Sequence, residues 1–131
     1  MSFLVKWIED INEFHQRKIN YENQFFLKKI FEKNKISDVD FINKINDFFN
    51  EEFLLKINNC EDKVIFDKVI QIYNQFNSLF SYDKNYKILN IFLEHDLISP
   101  KIKNLLFNFK SAMEVKHQSE ININTILSNL K

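Results

Sequence analysis

The chain has 131 residues, a formal net charge of zero, a single cysteine and no glycine. The absence of glycine excludes glycine-rich phosphate loops, the dinucleotide-binding fingerprint and the glycine-flanked nucleophile elbow. A single cysteine excludes an internal disulfide and any multi-cysteine zinc or iron–sulfur site. The length predicts one helical domain over residues 1–131, because a chain of this size can bury a core without cross-links.

Composition also indicates the cellular setting. The chain is dominated by Asn, Ile, Lys, Phe and Tyr, residues with AT-rich codons, so we expect an AT-rich bacterial gene. The first residues lack a signal-peptide pattern, because Lys6, Glu9 and Asp10 interrupt the apolar stretch. No apolar run reaches the roughly 18 residues of a membrane span, and we expect a cytoplasmic protein.

Apolar residues at helical spacing predict helices through the first half of the chain. Asn34 can end one of them, because asparagine tolerates the left-handed conformation that glycine would otherwise supply. Ser37 is predicted to cap the next helix, which we expect to kink or break near Asn50. The predicted segments are Phe3–Lys18 with a break at Asn20-Tyr21, a second helix to Asn34, a third from Ser37, and a short fourth to Ile57.

The widest apolar face of the chain lies on residues 64–80. It covers about half of the helix circumference, which is more than a surface helix needs, so we predict that this helix is central to a bundle. Asn59 or Cys60 is expected to cap it. The middle of the face consists of Ile65, Val69, Ile72, Tyr73, Phe76 and Phe80.

Two more helices are predicted after Ser81-Tyr82-Asp83. Ser99-Pro100 marks the start of the later one, because serine caps and proline at the first helical position loses no hydrogen bond. The tail from Ser119 is predicted to form a short docked helix. These patterns together predict an all-α fold, a compact bundle of about six to seven short antiparallel helices around residues 64–80.

Candidate catalytic residues are few, and we expect no enzyme, metal or cofactor. His15 lies at the edge of an apolar stripe, which is typical of a half-buried helix residue. His95 lies between Glu94 and Asp96 at a predicted helix end, and adjacent helical side chains point in different directions. His117 is expected in a polar connector, and Cys60 is interpreted as an unreactive thiol.

The acidic and basic residues are unevenly distributed along the chain, and this distribution suggests a function. Residues 35–62 carry seven acidic and three basic side chains, and an acidic patch can steer and select a basic partner. Phosphate-binding clefts of nucleases are basic. We therefore expect an immunity protein or antitoxin that covers such a toxin, using Asp38, Asp40, Asp47, Glu51, Glu52, Glu61 and Asp62.

An alternative hypothesis is a DNA-binding regulator. Residues 83–110 could form a helix-turn-helix whose second helix exposes side chains that contact phosphates and bases. The absence of arginine in this segment and the zero net charge argue against it. The exposed residues on this hypothesis are Lys101, Lys103, Asn104, Asn108 and Lys110.

Overall fold

The structure is a computed structural model that describes residues 2–24 and 36–130. Within these residues the fold is all-α, as predicted, with six α-helices, one 3₁₀ turn and no strand. We name the helices α1 (Phe3–Glu22), α2 (Asp38–Phe48), α3 (Glu51–Asn58), α4 (Lys63–Phe76), α5 (Tyr82–Glu94) and α6 (Pro100–Asn129); the 3₁₀ turn is Asn77–Leu79. The helix predicted to end at Asn34 lies outside the described residues.

The chain divides into two compact units, Met1–Leu79 and Phe80–Lys131. In the first unit, α1 packs against α2, α3 and α4. In the second, α5 and α6 pack against each other. The single-domain assignment from sequence stays a prediction.

Helix α4 confirms the wide apolar face predicted for residues 64–80. It buries more residues than any other described helix: Phe66, Val69, Ile70, Ile72, Tyr73 and Phe76. The α-helix ends at Phe76, and a 3₁₀ turn carries the chain on to Leu79. Such tightening is common in the last turn of a helix.

Several helices begin directly after a residue whose side chain caps the first turn. Ser37 accepts a hydrogen bond from the Asp40 amide at 3.1 Å, and Ser99 caps α6 just before Pro100, both as predicted. The prediction that Asn59 or Cys60 caps α4 is wrong. Asp62 caps it, accepting from the Val64 amide at 2.9 Å, because Asn59 already closes the end of α3.

Two predicted helix boundaries are also wrong. Helix α1 continues through Asn20 to Glu22, because side-chain pairs four residues apart stabilise its last turns: Gln16 donates to Asn20 at 3.0 Å. Helix α6 continues through Ser119, so the tail is not a separate docked helix. Residues 118–130 are all exposed.

Trp7 joins α1 to the junction between α2 and α3. Its indole Nε1 donates a hydrogen bond to the carbonyl oxygen of Phe48 at 2.6 Å. Its ring stacks on Phe53 with centroids 4.6 Å apart and meets Phe49 edge-on at 5.1 Å. Phe49 and Phe53 also contact each other at 4.9 Å. One indole therefore fixes both the break between the two helices and its distance from α1.

We expect Trp7→Phe to lower the free energy of unfolding by about 2–3 kcal/mol, because the Phe48 carbonyl loses its donor and the smaller ring leaves a void. Urea unfolding followed by far-ultraviolet circular dichroism would measure the change. Phe107→Leu is the control, since Phe107 is 57% exposed, and it should change stability by less than about 0.5 kcal/mol. Equal losses in the two variants would contradict this role for Trp7.

Candidate functional site

The seven predicted acidic residues are all exposed, but they fall into separate groups. Asp38 and Asp40 lie in the first turn of α2. Asp47, Glu51 and Glu52 lie on either side of the α2–α3 break. Glu61 and Asp62 follow α3, whose eight residues span about 12 Å. The structure therefore does not gather the set into one cluster.

Asp38 belongs to a structural ion-pair network rather than to a free acidic face. Its Oδ1 lies 2.9 Å from Nζ of Lys18, which also pairs with Glu22 at 2.7 Å. The same ammonium donates to the Ile36 carbonyl at 3.0 Å. Lys18 thereby links the end of α1 to the start of α2.

The charges of this network shift two pKa values. Burial on its own would lower the pKa of Lys18, but hydrogen bonds and charge from Glu22 and Asp38 outweigh it and raise the pKa. The hydrogen bond from Lys18, together with its charge, lowers the pKa of Asp38. The pairing of Lys18 with Glu22, four residues along a helix, is readable from sequence. The pairing with Asp38 is not, because it depends on the fold.

Three acidic residues flank the α2–α3 break along the chain, and we call Asp47, Glu51 and Glu52 the acidic junction. Asp47 lies in the last turn of α2, and the two glutamates lie in the first turn of α3. The Asn50 side chain caps α3 by accepting from the Phe53 amide at 2.9 Å. The helix dipole favours acidic groups at this end. Because Trp7 holds the adjacent Phe48 carbonyl, the acidic junction is built on fixed backbone.

Asp62 and Cys60 have local structural roles in the connector between α3 and α4. The Asp62 carboxylate caps α4. The half-buried Cys60 thiol donates to the Asp62 carbonyl at 3.4 Å. Both residues line an open groove of about 820 Å³ together with Glu61. Of the two acidic residues Glu61 and Asp62, only Asp62 caps a helix.

The three histidines lie in three different local environments. His15 is half-buried, as predicted, with its ring 4.9 Å from Phe76. The Nδ1 atom of His95 accepts from the Leu97 amide at 3.1 Å, just after α5 ends. His117 lies within α6 and not in a connector, and its ring stacks on Tyr82 at 3.8 Å. Among the described residues, no group of His, Cys, Asp and Glu could hold a metal ion.

Helices α5 and α6 form an antiparallel hairpin over the residues proposed as a helix-turn-helix. About 12 Å along α5 from its end, the ring centroid of Tyr86 lies 4.7 Å from Lys110 Nζ. Farther away, Tyr82 still stacks on His117, roughly 18 Å along α5 from its end. Helices that cross at 90–120°, as in a helix-turn-helix, would separate over this distance. The geometry therefore disfavours the DNA-binding alternative, and Lys110 packs on α5.

Comparison with known proteins adds no identification. No protein-family model matches the chain, and no curated protein or solved structure matches it either. In the described ranges, none of the helices combines the length and apolar character needed to cross a bilayer. Functional inference therefore depends on the residues of this chain.

We expect Asp38→Asn to lower the urea midpoint of unfolding, whereas Asp40→Asn leaves it near the wild-type value. The folded-state pKa of Asp38 lies below its usual 3.8, so its contribution exists above that pH and disappears as pH falls through the lowered pKa. The difference between wild type and Asp38→Asn should therefore vanish in strong acid. A pH-independent difference between the two proteins would contradict the ion-pair explanation.

His15 makes a second, separate contribution to acid sensitivity. Burial against the aromatic core lowers its pKa below the usual 6.5, so the fold prefers the neutral imidazole. Stability is present above pH 6.5 and falls as pH drops through the lowered pKa. We expect His15→Leu to weaken the fall in urea midpoint between pH 7.5 and 5. Gln16→Leu, on the exposed side of α1, should keep the wild-type pH response, and an identical response in His15→Leu would refute the assignment.

Proposed function

We propose that this protein is a non-enzymatic inhibitor, an immunity protein or antitoxin of the bacterial cytoplasm. Its partner is a basic toxin, such as a nuclease domain, and its binding surface is the acidic junction of Asp47, Glu51 and Glu52. The observation that carries the proposal is the attachment of these exposed carboxylates to a helix break that Trp7 holds in place.

The fixed backbone of the acidic junction favours binding. Association costs free energy when loops and side chains must be ordered, and a pre-ordered surface reduces that cost. The acidic junction is short, capped by Asn50 and backed by the ring contacts of Trp7, Phe49 and Phe53. Its backbone therefore needs little ordering when a partner binds.

Charge chemistry supports a nuclease-like partner. A cleft that binds phosphates carries lysine and arginine, and the exposed carboxylates of the acidic junction are negatively charged acceptors that such side chains can bind. Complementary charge also raises the rate of encounter. Asp40 and Glu61 are exposed at either side of the acidic junction along the chain and would extend the acidic rim. Asp38 and Asp62 are assigned to the fold and not to the partner.

The test uses purified candidate toxin domains encoded by the genes next to this one. We expect the triple variant Asp47→Asn, Glu51→Gln, Glu52→Gln to bind about tenfold more slowly or worse, and its association rate to depend less on salt, because steering is lost. Surface plasmon resonance at several salt concentrations, with a toxin activity assay alongside, would measure both effects.

The matched control is the triple variant Glu9→Gln, Glu13→Gln, Glu120→Gln. It changes the net charge by the same amount at exposed positions on α1 and α6, which are not part of the acidic junction. It should bind and inhibit like the wild type. Equal loss in both triples would show that only overall charge matters, and an absence of binding or inhibition by the wild-type protein would refute the proposed function.

A further inference from the structure

Helix α6 extends well beyond its packing partner. The last ring contact with α5 is the stack of His117 on Tyr82, the first residue of α5. Residues 118–129 continue the helix for about 18 Å, and every one of them is exposed. Most helical stability in proteins comes from packing of an apolar face, so a packing surface would stabilise this extension.

The extension carries an apolar stripe, which we define as Ile123, Ile126, Leu127 and Leu130. Their exposed fractions are 56%, 60%, 54% and 77%. Spacings of three and four residues place them on one face of the helix. That face lies roughly 130° around α6 from Leu106, Lys110 and His117, the side that meets α5. Helix α5 could therefore not cover the stripe even if it were longer.

The small number of charges on the extension favours one kind of occupant. The exposed segment 118–130 contains a single charged side chain, Glu120, among Asn, Ser, Thr and Gln. Such a surface offers no charge pattern to select a different, charged helix, because that selection uses charged residues beside the seam. It is also free of the repulsion that would keep two copies apart. We propose that a second copy of this chain covers the apolar stripe, forming an antiparallel pair of α6 extensions.

The antiparallel direction follows from the residues next to the stripe. With the two-fold axis between Asn124 and Thr125, Ile123 of one copy meets Ile126 of the other. Ser119 then lies opposite Leu130, so a small side chain faces a large one. In a parallel, in-register pair, Lys116 would face Lys116 and Glu120 would lie beside Glu120. The antiparallel register avoids both like-charge contacts.

The size of the pair predicts its strength. Two 18 Å helix segments bury less than the roughly 1,200 Å² typical of stable complexes. We therefore expect a weak dimer, with a dissociation constant of about 0.1 mM. The proposal uses no residue of the acidic junction, which belongs to the other unit of the chain.

Sedimentation equilibrium of the full chain is the first test. The mass should rise from 15.9 kDa toward twice that value as the concentration increases from about 5 µM to 1 mM. Ile123→Asp should abolish the rise. Ile121→Asp is the matched control, because Ile121 lies two residues away, on the opposite face of the same extension. A monomer at all concentrations, or equal loss in both variants, would overturn the proposal.

Cysteine cross-linking in a Cys60→Ser background tests the direction. Ile123→Cys and Ile126→Cys proteins are oxidised separately and as a mixture. The antiparallel pair predicts that the mixed disulfide forms faster than either homodimer. Faster homodimer formation would overturn the antiparallel register. Circular dichroism of each variant would confirm that the helix content is unchanged.

Discussion

The hydrogen bond from Trp7 to the Phe48 carbonyl is the interaction on which the first unit depends most. A break between two helices exposes carbonyl groups that have lost their helical partners. The indole supplies a donor to one of them and, with the same ring, packs against the aromatic residues on both sides of the break. The Trp7 side chain therefore both supplies a hydrogen bond to a backbone carbonyl and buries its apolar ring. This combination allows a charged surface to stand directly over an aromatic core.

Local chemistry explains which parts of the fold are readable from sequence. Ser37 and Ser99 were identifiable as caps because each precedes an apolar helix face, and proline follows Ser99. The cap of α4 was not identifiable, because Asn59, Cys60 and Asp62 are all plausible and the choice depends on where α3 ends. That end is set by packing, which a local pattern does not contain.

The end of α6 illustrates a second limit of sequence reasoning. Apolar residues at helical spacing predicted a helix there, and the structure contains one. The same pattern also suggested that this helix packs against the rest of the fold, whereas its residues 118–130 are exposed. Periodicity specifies which face of a helix is apolar; it does not specify what covers that face. The polar stretch before Ser119 was interpreted as a connector, although polar residues are equally common on the exposed side of a continuous helix.

The candidate site shows why neighbours in sequence need not share a surface. Glu52 and Glu61 are nine residues apart, yet Glu52 lies in the first turn of α3 and Glu61 lies beyond the end of that helix. Asp38 is exposed as expected, but its carboxylate also pairs with Lys18 on another helix, a contact that a count of charges along the sequence does not reveal. The acidic junction is therefore defined by its position beside the helix break, at the end of α2 and the start of α3.

The lack of glycine has a consequence for experiments on this chain. None of the described residues has a positive φ angle, so every described turn is made with backbone conformations that any L-amino acid can adopt. Substitution by alanine at these positions therefore introduces no steric conflict in the backbone. An alanine scan of the described residues would therefore report side-chain contacts, caps and helix propensity without an added term from left-handed backbone strain.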